Sequence, residues 1–370
     1  MLYLLFIVIL IVIQAILYLC HFFVFKTIVK FFSIESKETV FYLKIVFGFL
    51  STTFIIASLL SSRYQSTAVK VFYNLTFYWV GLLFFLFFAC AVAWGVNLLG
   101  EKFSLGFNPK IIIGTLFSFA VVLAAYSTVN ANDIRTKNLD ITLLNLPQSW
   151  QGKKAVWISD VHLGQVRGEK FAKEVTQKIN EINPDIVFVG GDLYDGADTN
   201  LDKVSAPFLG LKASLGVYYV TGNHEEFDGN QKYLDAARKV NMKILNNEMV
   251  DISGLQLIGV DYRDTSSREQ YKKVLESLKI DPNKPSILLK HSPFYVEEAE
   301  KAGISFQISG HSHGGQMFPM NYISKLIFYG YESGLHKLGN LLVYTSTGTG
   351  TWGPPMRLGA DPEIVEIEFK

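Results

Sequence analysis

Sulfur is the first thing this chain goes without. Its 370 residues hold two cysteines, Cys20 and Cys90, so everything after residue 90 lacks a disulfide, a thiol nucleophile and a sulfur ligand. Both lie in apolar runs, where a small apolar side chain facing lipid or a neighbouring helix accounts for them. Charge is scarce at the start: residues 1–132 carry eight Lys/Arg against three Asp/Glu, net +5, whereas 133–370 carry twenty-six against thirty, net −4. No basic cluster points to nucleic acid. With 49% hydrophobic residues and a mean hydropathy of +0.25, the composition points away from an ordinary soluble enzyme.

What is there instead is long apolar stretches. Residues 2–25 run to Lys26 and Lys30, broken only by Gln14 and His21, and further spans are expected over 40–60, 72–99 and 111–129. The expected domains are a four-span transmembrane region over 1–130, a connector over 131–153 and a globular domain over 154–370, making an integral, multi-pass protein of the cell membrane. A cleaved signal peptide fits less well, because the segment opens without a positive charge and three more spans follow. Lys26, Lys30, Lys37, Lys44, Lys102 and Lys110 on one side balance Arg63, Lys70, Arg135, Lys137, Lys153 and Lys154 on the other, so the side of the globular domain stays open. Gln14, His21 and Lys44 lie near span ends or alone, which gives a transport pathway little support.

After Pro147 the pattern changes. A short strand is expected over 141–144, then strands over 155–159, 186–189, 217–220, 257–260, 286–290, 306–309, 341–345 and 364–369, alternating with helices over 169–182, 230–240, 267–278 and 295–302. Such α/β domains keep their sites in the loops at strand ends. Those loops read Asp160-Val161-His162, Gly191-Asp192, Gly222-Asn223-His224-Glu225, His291 and Gly310-His311-Ser312-His313, and they hold five of the seven histidines. Two divalent metals held close together need a bridging carboxylate and a mixed set of imidazole, carboxylate and amide donors, which these residues supply without sulfur.

The pattern D-x-H, G-D, G-N-H-E, H, G-H-x-H resembles that of the calcineurin-like metallophosphoesterases over roughly 150–370. The resemblance implies a four-layer α/β/β/α sandwich. It also implies two divalent metal ions, with Mn favoured and Fe or Zn alternatives: Asp160, His162 and His313 for one, Asn223, His291 and His311 for the other, and Asp192 as bridge. His224 is implied as the substrate-side acid and Asp195 as the carboxylate orienting it. Hydrolysis would proceed by attack of a metal-generated hydroxide on a phosphodiester or pyrophosphate, with no covalent intermediate.

Gly348-Thr349-Gly350, Trp352 and Arg357, together with the apolar first part, resemble the membrane-linked branch. That branch includes enzymes cleaving UDP-2,3-diacylglucosamine and transmembrane proteins with a metallophosphoesterase domain. The same glycines serve equally as loop geometry, and Arg357 equally as a surface charge. An apolar cluster over 317–329, flanked by Lys325 and Lys337, follows two of the implied ligands. Apolar residues usually go inside, so a lid or core segment is expected; exposed, the cluster would rest in the bilayer interface beside a lipid-linked phosphate ester. The competing reading is a membrane receptor whose metal-binding domain senses a phosphorylated ligand without turnover.

Overall fold

The computed structural model describes residues 2–64, 66–196, 199–226 and 230–370, with the side chains of residues 2–7 and 9 outside that description. The chain divides into two units, Met1–Val129 with Gly353–Met356 and Asn130–Trp352 with Arg357–Lys370.

The first unit is built on four long helices, α1 (Leu2–Phe31), α2 (Lys37–Ser61), α3 (Thr67–Phe103) and α4 (Pro109–Asn130), each long and apolar enough to cross a membrane. Ser36 and Ser66 cap α2 and α3 by accepting from Thr39 N and Val69 N. Ile11, Leu59, Leu75, Ile111 and Val122 are all more than 60% exposed, a surface suited to hydrocarbon rather than water. The polar intrusions are tied between helices: His21 Nε2 accepts from Trp79 Nε1 at 2.8 Å, Thr27 Oγ1 accepts from Trp94 Nε1 at 3.0 Å, and Gln14 donates to the Ser51 carbonyl. Such bonds join apolar helices where water is absent.

In the second unit two six-stranded sheets pack face to face. The first has the order β1 (Arg135–Ile141), β12 (Glu363–Phe369), β2 (Lys154–Ile158), β3 (Ile186–Gly190), β4 (Gly216–Val220), β5 (Met242–Ile244). The second has the order β10 (Gly334–Leu338), β11 (Leu341–Thr345), β9 (Phe306–Ser309), β8 (Ser286–Leu289), β7 (Leu255–Gly259), β6 (Glu248–Ile252). β2 to β5 run parallel, as do β7, β8, β9 and β11. The inner strands β2, β3, β8 and β9 are buried along nearly their whole length because both faces are covered. Ala155, Trp157, Phe188 and Tyr218 face Leu257, Ile287, Leu289 and Ile308 of the other sheet. The alternate residues Val156, Val187 and Val189 pack on helices α5 (Glu169–Ile182) and α7 (Gln231–Lys239), with the short α6 (Leu201–Ser205) beside them. On the far side Ile258 and Leu288 pack on α8 (Arg268–Ser277) and α9 (Val296–Lys301). The result is the expected α/β/β/α layering.

The expected strand at 141–144 is displaced: β1 runs Arg135–Ile141 and pairs parallel with β12, while Leu144 beyond it is 83% exposed. A polar edge strand carries only half an apolar pattern, so its start is hidden in the sequence. The segment 317–329 also departs from expectation. It forms a helix, α10 (Met320–Ile327), that leaves Tyr322, Ile323, Leu326 and Ile327 exposed.

Candidate metal centre

The C-terminal ends of β2, β3 and β4 in one sheet and of β8 and β9 in the other carry the five sequence blocks to one place. Asp160 and His162 follow β2, Asp192 follows β3, Asn223 and His224 follow β4, His291 follows β8, and His311 and His313 follow β9. To turn inward, Asp160, His162, Asp192, His311 and His313 adopt left-handed backbone, φ 54°, 53°, 49°, 71° and 50°. Gly222 and Gly310 permit the approach, since a Cβ on either would overlap the Asp192 or Asp160 carboxylate.

Two donor clusters share one carboxylate. His313 Nε2 lies 3.1 Å from His162 Nε2 and 3.5 Å from Asp160 Oδ1. His291 Nε2 lies 3.2 Å from Asn223 Oδ1 and 3.2 Å from His311 Nδ1. Asp192 Oδ2 stands between them, 3.3 Å from His291 Nε2, 3.9 Å from His162 Nε2 and 4.0 Å from His224 Nε2. The groups Asp160/His162/His313, His162/Asp192/His224 and Asp192/His291/His311 each bring their donor atoms within 4.8 Å of one another. All seven residues expected from the sequence as ligands are therefore gathered here.

Proton placement suits cations. His291 donates its Nδ1–H to the Gly190 carbonyl at 2.8 Å, so Nε2 is the nitrogen that faces Asp192; burial opposes a charge there, but the Asp192 carboxylate raises the imidazole to about 9, and a cation would take the place of that proton. Burial pushes the His311 imidazole down to about 3, aided by His291, and burial beside His162 holds His313 low as well, so both are neutral donors near pH 7. Burial opposes ionisation of Asp192, but His291, His224 and His162 override it and hold the carboxyl well below its ordinary range. His311 and His313 as neutral imidazoles, His162 and His291 as imidazoles that carboxylates raise against their burial, and the buried carboxylates themselves form an oxygen-and-nitrogen set that fits divalent metals.

Asp195 takes a different place from the expected one. His224 donates its Nδ1–H to the main-chain carbonyl of Asp195 at 3.0 Å, whereas the Asp195 carboxylate lies 3.4 Å from His162 Nδ1. Backbone and side chain of one residue thus face different histidines. Arg357 is no surface charge: it is fully buried, with Nε donating to Gly350 O at 2.9 Å and Nη2 to Gly350 O at 2.6 Å and His313 Nδ1 at 3.3 Å. Burial lowers it to about 10, still charged at neutral pH.

Sequence reasoning gave Glu225 no task, yet its buried carboxylate accepts from Asp192 N at 2.9 Å, Gly222 N at 2.7 Å and Tyr194 N at 3.1 Å. It staples the two turns that hold Asp192 and Asn223, and burial beside Asp192 raises it to about 7. Residues 310–314 also spell Gly-x-Ser-x-Gly, the pattern of a serine-nucleophile elbow. Here the Ser312 hydroxyl donates to the Glu332 carbonyl and accepts from Gly314 N, a turn-stabilising role.

Sandwich and clustered donors together define a metal-dependent phosphoesterase, and comparison with known proteins agrees. Residues 153–315 match the family described as calcineurin-like phosphoesterase. The chain is 32% identical over 269 residues to an uncharacterized metallophosphoesterase of Campylobacter jejuni, covering 70% of this chain and 71% of that one. It is 34% identical over 257 residues to another from Aquifex aeolicus, covering 68% and 97%. A "transmembrane protein with metallophosphoesterase domain" of Danio rerio is 30% identical over 319 residues, 79% of this chain and 71% of that protein. The chain belongs to the calcineurin-like metallophosphoesterase family.

Proposed function

We propose that this protein is a membrane-anchored, two-metal phosphoesterase hydrolysing a phosphodiester or pyrophosphate bond, with a glycolipid of the UDP-2,3-diacylglucosamine kind as its substrate class and the cell membrane as its location. The observation that carries the reaction class is Asp192, whose Oδ2 lies within 4.0 Å of imidazoles from both donor clusters. Asp160, His162 and His313 would hold one metal, Asn223, His291 and His311 the second, with Asp192 shared. When bound, the pair supplies Lewis-acid activation of water and neutralises phosphate charge.

The chain's own part is positioning and proton transfer. Protonated on both nitrogens, His224 gives its Nε2 proton to the leaving oxygen while Nδ1–H stays on the Asp195 carbonyl, so the ring keeps its aim. Four membrane-length helices support the anchor.

The test is turnover by detergent-purified protein, stripped of metal and resupplied with Mn. A simple aryl phosphodiester, an aryl phosphomonoester and a nucleotide-diphosphate glycolipid are compared. Mn-restored cleavage that is fastest on the glycolipid is expected. Two bound metals with no cleavage of any of the three would overturn the reading and favour a sensing role.

A further inference from the structure

We propose that α10 is a bilayer-docking element that rests its apolar face in the membrane interface beside the metal centre; the identity of the lipid substrate rests on the function proposed above, but the docking does not. The helix has an unusual surface. Tyr322, Ile323, Leu326 and Ile327 are 62%, 47%, 77% and 53% exposed, and Phe318 and Tyr329 at its ends are 49% and 82% exposed. Side chains this apolar, gathered on one helix and its flanks, form the kind of patch that water-facing proteins avoid.

The occupant is argued from charge and from the rest of the chain. Between residues 317 and 330 the only charged side chain is Lys325, and the next charges along the chain are the half-buried Glu332 and the exposed Lys337 of β10, so the patch itself is apolar, with one lysine and no carboxylate of its own to repel anionic headgroups. Aromatic residues at both ends, Phe318 and Tyr329, suit the headgroup level of a bilayer. The same chain carries four helices of membrane-crossing length, and β1 begins five residues after the last of them.

The patch is coupled to the site. Phe328, which closes α10, sets its ring 5.8 Å from that of His311 and stacks on Phe294 at 4.8 Å. The turn after His313 lies directly on the helix, leaving no room for a Cβ on Gly315 against the Asn321 backbone. A surface that docks on lipid would therefore hold the metal centre at a fixed height above the headgroups.

The experiment uses the full chain in phosphatidylcholine/phosphatidylglycerol vesicles with brominated acyl chains. Cys20→Ala and Cys90→Ala remove the native thiols, and a fluorophore is placed at Leu326→Cys or, as control on exposed α8, at Lys272→Cys. Bromine quenching several-fold stronger at 326 than at 272 is expected. Equal quenching overturns docking, and so does a label at 326 shielded from water yet not quenched, which would mark a protein partner or second copy. Quenching needs no catalysis, so its outcome is independent of the proposed reaction. A second arm, Leu326→Asp with Tyr329→Asp, is expected to slow cleavage of a vesicle-borne substrate about tenfold while sparing a soluble aryl phosphodiester; equal loss on both overturns the delivery role.

Discussion

The Nδ1 proton of His224 is held by the main-chain carbonyl of Asp195, 3.0 Å away, so the ring's aim depends on that residue's backbone and not on its carboxylate. The carboxylate sits instead 3.4 Å from His162 Nδ1. Asp195→Asn is therefore expected to weaken metal affinity roughly 10–100-fold through His162 while leaving the His224 step intact. Metal titration followed by turnover at saturating Mn checks this. A large loss of kcat at full occupancy would return the carboxylate to His224.

Asp192 and His224 should separate binding from chemistry. Asp192→Asn is expected to abolish turnover and lower metal content, because the shared carboxylate loses its charge. His224→Ala should lower kcat about 10²–10⁴-fold with metal content near that of the wild type. Elemental analysis of the two purified variants makes the comparison, and loss of both metals in the His224 variant would contradict its assignment as an acid.

Glu225 receives three main-chain N–H groups in a dry environment. Its removal leaves those donors unpaired, so Glu225→Ala is expected to destabilise the metal-free protein by about 3 kcal/mol. Denaturant unfolding in chelator reads this directly. Glu225→Gln, which keeps the shape but turns an amide donor toward donors, should recover only part of the loss.

Arg357→Met is expected to cost a similar amount, about 3 kcal/mol, since it strips hydrogen bonds from the carbonyls of Gly348 and Gly350 and from His313 Nδ1. Limited proteolysis near residue 350 should quicken in this variant. Unchanged unfolding would mean that water replaces the guanidinium.

Chelation itself should lower thermal stability. Free metal at one hundred times its dissociation constant stabilises the folded state by about 2.7 kcal/mol, so the unfolding temperature should rise with metal concentration and level off only logarithmically. An unfolding temperature indifferent to metal would argue against occupancy of the cluster.

Much of this was legible in the sequence because the chemistry sits where the pattern is strongest. β2, β3, β8 and β9 are buried on both faces, so their apolar runs stand out and the polar residues that end them are conspicuous. β1, β6 and β10 were hidden for the opposite reason: as outer strands such as Glu248–Ile252 they are half exposed and carry mixed side chains. The donor set needed only strand ends to be located. The work of Asp195, Glu225 and Arg357 depends on which way a backbone carbonyl or a buried side chain points, and linear spacing does not encode that. The exposure of α10 runs against the usual rule that apolar side chains go inside, a rule that holds for surfaces facing water.

Five of the candidate ligands, Asp160, His162, Asp192, His311 and His313, hold left-handed backbone that glycine would adopt without strain. Each costs the fold roughly 1 kcal/mol, so the site is a standing load that the two sheets must carry. Natural selection acting on durability alone would erode these positions first, toward glycine or asparagine. Glycine at any one of them would relieve the backbone while removing a metal donor, so durability and metal binding pull these five positions in opposite directions.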